Sequence, residues 1–191
     1  MNEQQVIDLF LKRQALLEGH FLLSSGLHSS KYLQCALVLQ YPSDAEALGR
    51  SLAVSFTTDQ IDVVVAPALG GVIIGYEVAR ALNLRSIFTE REAGTMKLRR
   101  GFSINPGEKA LVVEDVITTG GSTREVISVV ESYGGEVVAV GSLIDRSGGT
   151  VEFAQKRAAL ATLTVPTYQP TACPMCEQGS IAIKPGSRTV S

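Results

Sequence analysis

Cysteine and histidine are scarce in this 191-residue chain, with three of the first and two of the second. Three thiols are an odd, sparse set for a disulfide scaffold. The opening residues Met1-Asn2-Glu3-Gln4-Gln5 lack the basic segment and apolar run of a secretory signal. A reducing cytoplasm is the expected setting. Long hydrophobic runs are missing as well: the longest uncharged stretch, Ala158 to Cys176, has 19 residues but carries Pro166, Pro170, Pro174 and several threonines. That makes it a poor bilayer span. Nor is there an excess of one charge, since 17 basic side chains face 19 acidic ones for a net charge of −2. This excludes the broad electrostatic footprint of a protein held mainly by nucleic-acid phosphates. Any polyanion site must be local, and neither a membrane nor a nucleic acid is an expected partner.

What is present is a chain 45% apolar and 19% charged, long enough to bury roughly 70% of its unfolded surface around one core. One domain over residues 1–191 is expected. Glu3 to Glu18 sets Val6, Phe10 and Leu17 on one helical stripe, with Gly19 as a stop. Phe21 to Tyr32 reads as a hairpin or flap around a polar, glycine-bearing turn. Ser43 and Glu46 have capping-box spacing before the apolar positions Leu48, Leu52 and Phe56. Alternation then becomes regular. Apolar strands are expected at 61–66, 85–89, 109–113, 137–144 and 158–165, with helices at 72–82 and 123–133. Loops are expected at 90–102 and 114–122. Fully apolar strands alternating with helices imply a mostly parallel central sheet covered on both faces, an α/β architecture. Ligands of such sheets sit at the C-terminal ends of the strands.

The segment Leu111-Val112-Val113-Glu114-Asp115-Val116-Ile117-Thr118-Thr119-Gly120-Gly121-Ser122-Thr123 carries the strongest chemical signal. A buried strand stops at two carboxylates and gives way to hydroxyls and glycines. A glycine-rich turn opening a helix presents unpaired N–H groups and the positive end of the helix dipole, and Thr118, Thr119, Ser122 and Thr123 add donors without bulk. That is a cradle for a phosphate dianion. Ionised carboxylates only accept hydrogen bonds, so Glu114 and Asp115 suit a neighbouring diol or hydrated Mg²⁺. No Gly-Lys-Ser/Thr follows, so this is not a Walker loop.

These residues resemble the phosphoribosyl-pyrophosphate (PRPP) fingerprint of the type I phosphoribosyltransferases. Gly19-His20-Phe21-Leu22-Leu23-Ser24-Ser25-Gly26, Pro67-Ala68-Leu69-Gly70-Gly71, Glu92-Ala93 and Asp145-Arg146 are arranged as in the orotate phosphoribosyltransferases. The likeness covers about residues 3 to 150. It implies the type I fold, with a small N-terminal hood over about residues 1–40, a core over about 41–165 and a tail over about 166–191. It also implies transfer of a 5-phosphoribosyl group from PRPP to orotate with Mg²⁺, a step of pyrimidine synthesis. By the resemblance, Glu114 and Asp115 bind the ribose hydroxyls and Val116, Ile117, Thr118, Thr119, Gly120, Gly121 and Ser122 hold the 5′-phosphate. Gly70 lets backbone amides approach pyrophosphate. Thr118, Arg146, Lys31 and Tyr32 are assigned to orotate. For Arg146 the chemistry agrees, because a guanidinium makes two parallel bonds to a carboxylate. The ordinary alternative is an ion pair with Asp145.

Arg91, Lys97, Arg99 and Arg100 concentrate positive charge beside Gly94 and Gly101. In the family such a loop is a lid that stabilises departing pyrophosphate, with Lys97 as the leading cation, and it closes over the site of a partner in a homodimer. The chain departs from the family where Ser24 replaces a lysine, where Leu69-Gly70 replace an aromatic–lysine pair, and in lacking a lid histidine. His20 and His28 read as exposed turn residues. Cys173-Pro174-Met175-Cys176 is a lone C-x-x-C with no second pair; a closed zinc site would need ligands from elsewhere or from another subunit, so a packed tail or a chance pair is expected. Two other functions compete: transfer to a purine or other base, since the 114–122 segment reports PRPP and not the acceptor, and a non-catalytic PRPP sensor that binds RNA through the basic loop.

Overall fold

The structure, a computed structural model, describes residues 1–23 and 26–185; Ser24 lies outside them. Helix α1 (Glu3–Lys12) opens with a capping box in which Asn2 accepts from the Gln5 N–H and the Gln5 side chain accepts from the Asn2 N–H. It stops well short of Glu18. Gln14 takes a left-handed conformation at φ 55°, and the chain turns directly into strand β1 (Leu16–Leu22). Gly19, expected as a helix stop, lies inside this strand where the register shifts between Glu18 and Phe21. Strand β2 (His28–Leu33) returns antiparallel to it, as the hairpin reading expects.

A short helix α2 (Ala36–Leu39) leads to α3 (Pro42–Ala53). Ser43 does not cap α3. Pro42 occupies the first turn and Tyr41 before it is extended at φ −96°, ψ 108°, because a residue preceding proline is driven out of the helical region. Strand β3 (Val63–Pro67), helix α4 (Gly70–Leu82) and strand β4 (Arg85–Glu92) follow. The expected 90–102 loop is instead largely a hairpin, in which β5 (Thr95–Leu98) pairs antiparallel with β4 through Glu90↔Lys97 and Arg91↔Met96. Met96 and Leu98 turn inward and are buried, so alternating apolar residues convert a charged segment into a sheet edge. Then come β6 (Lys109–Ile117), α5 (Gly121–Ser132), β7 (Glu136–Asp145), β8 (Lys156–Thr162), the short β9 (Thr167–Tyr168) and the one-turn α6 (Pro174–Glu177).

The main sheet has the order β5-β4-β3-β6-β7-β8, parallel except for β5. Its two faces feed separate apolar clusters. Val64, Leu111 and Val113 pack with α1, α3 and α4 residues such as Phe10, Leu48 and Ile74. Val63, Val65, Ala110 and Val112 pack with Val126 and Val130 of α5 and with Met96. Full burial of each such side chain is worth about 1.5–3 kcal/mol. A second sheet, β1-β2-β9, joins the N-terminal hairpin to the tail.

Candidate active site

Chain order runs outward from β3 to β4 on one side and from β6 to β7 on the other, so β3 and β6 flank the point where the winding reverses. Their pairing ends at Val65↔Val112 although both strands run on. A crevice therefore opens at their C-terminal ends, where open α/β sheets place ligands. Two segments identified in the sequence meet there. Gly70 begins α4 directly against Asp115 of β6: a Cβ added at Gly70 would stand 2.6 Å from Asp115 Oδ2. Only a glycine leaves that carboxylate its space.

The acids end differently from the loop position expected for them, because β6 continues through both to Ile117. Asp115 is half-buried and its Oδ1 accepts from the Val116 N–H at 2.9 Å. Glu114 is buried at 7% exposure. Burial, reinforced by the neighbouring Asp115 charge, pushes its carboxyl up to about 9. The two acids thus divide: near neutral pH Glu114 holds a proton and can donate as well as accept, while Asp115 faces the crevice.

Beyond them Thr118 and Thr119 are exposed, and Gly120 turns at φ 74° into α5. A side chain at Gly120 would be strained by that angle and would meet Arg124 Nη1 at 2.6 Å and Val151 at 2.8 Å. No side chain caps α5, so its first N–H groups face outward as an anion cradle requires. Arg124, absent from the sequence reading, braces this loop from behind by donating to the Thr119 carbonyl at 2.9 Å and to the Glu152 carbonyl at 2.9 Å. Its signal was there: a cation in the first turn of a helix sits against the dipole unless something else holds it.

Thr118 and Thr119 also border a cavity of about 550 Å³ shared with Arg146, Tyr32, Leu23, Leu27, Val165 and Thr167. That size suits a small-molecule site. Arg146 follows β7, and its pairing alternative is excluded, because Asp145 is taken by Arg157 at 3.0 Å and by the Ser147 N–H and hydroxyl at 2.8 and 2.6 Å. No carboxylate among the described residues pairs with Arg146. Desolvation accordingly holds its guanidinium below the ordinary arginine range. Tyr32 stands in the cavity wall, stacked on Phe21 with ring centres 5.8 Å apart. Lys31, the adjacent strand residue, points to the other face and pairs with Glu18 at 3.2 Å.

The basic residues of the lid are not brought onto the phosphate loop. On the β4–β5 hairpin Lys97 pairs with Glu92 at 2.9 Å, Arg99 with Glu92 at 3.2 Å, Arg100 with Glu90 at 2.9 Å and Arg91 with Glu125 of α5 at 2.8 Å. The cluster is thus largely neutralised by its own carboxylates. His20 and His28 depart from expectation too: both are buried, and their rings meet edge to face beside Cys173 and Cys176.

Comparison with known proteins agrees with this geometry. Residues 43–156 match the phosphoribosyl transferase domain. An orotate phosphoribosyltransferase of Caldicellulosiruptor saccharolyticus is 60% identical over 190 residues, covering 100% of both chains. One of Desulforamulus reducens is 55% identical over 191 residues, again covering 100% of both. The crystal structure of orotate phosphoribosyltransferase from Aeropyrum pernix superposes with a TM-score of 0.70 at 28% identity, covering 83% of this chain and 93% of that one. With the donor cradle at the sheet crossover, the unpaired arginine beside it and these relatives all in agreement, the chain belongs to the orotate phosphoribosyltransferases, within the type I phosphoribosyltransferase family.

Proposed function

We propose that this chain transfers the 5-phosphoribosyl group of PRPP to orotate, giving orotidine 5′-monophosphate and pyrophosphate, and that it does so in the cytoplasm. The observation that carries the acceptor is Arg146, a desolvated guanidinium without a carboxylate partner in the cavity that Thr118 and Thr119 border. Orotate supplies the missing anion, and a planar carboxylate matches the guanidinium fork. A purine carries no such group.

On this reading the N–H groups of 118–122 hold the 5′-phosphate, Asp115 accepts from a ribose hydroxyl, and protonated Glu114 donates to a ribose oxygen or accepts from its hydroxyl. The C1′ bond to pyrophosphate is largely broken before the orotate nitrogen attacks, so no covalent enzyme intermediate forms. Catalysis rests on alignment and on fixed donors that meet charge as it develops. Mg²⁺ fits the site through the hard oxygens of Asp115, beside Gly70, and of the donor itself; when bound it neutralises charge on the leaving pyrophosphate. Lys97, with Arg91 and Arg99 or Arg100, meets that charge after exchanging its carboxylate partners.

Two copies complete the site, the hairpin of each reaching the other. Leu69, Ile73 and Tyr76 support this reading, since they form an exposed apolar stripe on and before α4, with Leu69 88% exposed. The deciding experiment is an acceptor screen with PRPP and Mg²⁺ that follows loss of orotate absorbance beside hypoxanthine, adenine and uracil. Turnover of orotate alone is expected. Turnover of a purine without orotate would reject the acceptor and keep the fold.

A further inference from the structure

Four side chains far apart in sequence converge where the tail crosses the N-terminal hairpin: His20 of β1, His28 of β2, and Cys173 and Cys176 at the start and within α6. One ligand atom from each lies within 4.8 Å of all the others. His20 Nε2 stands 2.8 Å from His28 Nδ1, 3.5 Å from Cys173 Sγ and 3.8 Å from Cys176 Sγ, and Cys176 Sγ stands 3.3 Å from His28 Nδ1. Donors arranged tetrahedrally around zinc at its usual bond lengths are separated by roughly 3.3 to 3.8 Å. The sulfur–nitrogen distances fall on this range, and only the nitrogen–nitrogen distance is shorter.

The surroundings favour a cation as well. His20, His28 and Cys173 are buried, and His20 Nδ1 lies 3.1 Å from the Ser180 carbonyl. A proton held on Nδ1 by that carbonyl leaves the Nε2 lone pair directed at the cluster, the outer-sphere arrangement typical of a metal-bound imidazole. Two buried imidazoles whose ring nitrogens approach at 2.8 Å, with two thiols against them, are a poor apolar core and a good ligand set.

We propose that His20, His28, Cys173 and Cys176 bind one structural Zn²⁺ per chain. Two nitrogens and two sulfurs select a borderline-soft, tetrahedral dication. Four protein donors leave no open coordination position, which makes the site structural and not catalytic. On loading, Zn²⁺ replaces the two thiol protons, which pass to solvent, and the cation is held by two thiolates and two neutral imidazoles with no change of oxidation state. Its role is to fasten the tail to the hairpin. β9 pairs with β2 through His28↔Tyr168 and Ser29↔Thr167, and Thr167 with Leu23, Leu27 and Tyr32 lines the acceptor cavity. The metal therefore lies behind one wall of that cavity and stiffens it.

The test uses the full chain purified under reducing conditions, stripped with a chelator and titrated with Co²⁺ and then with Zn²⁺. Tetrahedral cobalt with thiolate ligands should appear in the visible and near-ultraviolet spectrum, saturate at one equivalent and be displaced by zinc. The Tm of the zinc-loaded chain should exceed that of the stripped chain by roughly 5 °C or more. Cys173→Ser with Cys176→Ser should lose the thiolate absorption, and Cys35→Ser should keep it. Absence of a tetrahedral cobalt–thiolate spectrum from the parent chain, equal loss in Cys35→Ser, or a disulfide between Cys173 and Cys176 as the stable resting form would each overturn the proposal. None of these readouts depends on which base the enzyme uses.

Discussion

Arg146 is the residue on which acceptor choice turns. Arg146→Ala should raise the orotate KM by about a hundredfold, the cost of about 2.7 kcal/mol for removing one side of a desolvated charge pair. The PRPP KM should stay within about threefold. Steady-state kinetics with each substrate varied would check this, and loss of PRPP affinity alone would move the arginine to the donor. Gly70→Ala sets a methyl 2.6 Å from Asp115 Oδ2; kcat/KM for PRPP should fall at least about tenfold while the fold persists, since overpacking of one methyl costs about 1–3 kcal/mol. Glu114 predicts a pH effect. Unfolded it ionises near 4.5, and folded near 9. Between these values the folded chain holds the extra proton, so the contribution to stability is complete below the lower value and is lost as pH rises toward the upper one. The limiting slope is about 1.4 kcal/mol per pH unit. Glu114→Gln should flatten Tm against pH from 5 to 9; a curve parallel to the parent's would refute the assignment. At this scale the sequence showed the acids, the hydroxyls and Arg146, because short-range order carries the cradle. It could not show that Glu114 is buried enough to keep its proton, which depends on what packs over β6, nor that Arg124 folds back to hold Thr119.

The elements were legible wherever one period dominated. The strands at 63–67, 109–117 and 136–145 and helices α4 and α5 follow apolar runs and glycine stops. Boundaries failed where a single residue decides. Gln14 ends α1 by its backbone angle, and Pro42 starts α3 one residue ahead of the serine that was expected to cap it. The β4–β5 hairpin was hidden because four cations conceal an alternation visible only at Met96 and Leu98. Its ion pairs define the task of the lid: Lys97 must leave Glu92 to reach pyrophosphate. Lys97→Ala should lower kcat far more than it weakens PRPP binding, by about a hundredfold or more against less than about fivefold, since the interaction forms mainly as the leaving group departs. Comparing kcat with PRPP affinity from equilibrium titration would check it. An unchanged kcat would remove Lys97 from the reaction.

For the molecule as a whole, sharing of sites between copies makes a quantitative prediction. If the hairpin of one subunit serves the cavity of the other, Lys97→Ala and Arg146→Ala are separately deficient, but mixed subunits contain one intact site. Refolding the two together should restore about a quarter of the parent activity, as random pairing requires. Failure of the mixture to exceed either variant would confine each site to one chain. The sheet order and the crossover site could be foreseen, because parallel α/β chains obey strong connection rules. The meeting of His20 and His28 with Cys173 and Cys176 could not. Pairs separated by about 150 residues have no local pattern, and only the pairing of β2 with β9 and of Phe21 with Ile183 carries the tail back to them. This return has a consequence for synthesis. As the polypeptide leaves the ribosome, the donor loop and its supporting sheet can assemble before Thr167 is available, but the enclosure for the incoming base is finished only when the last segment has zipped onto the first hairpin. Catalytic competence is thereby postponed to the end of translation.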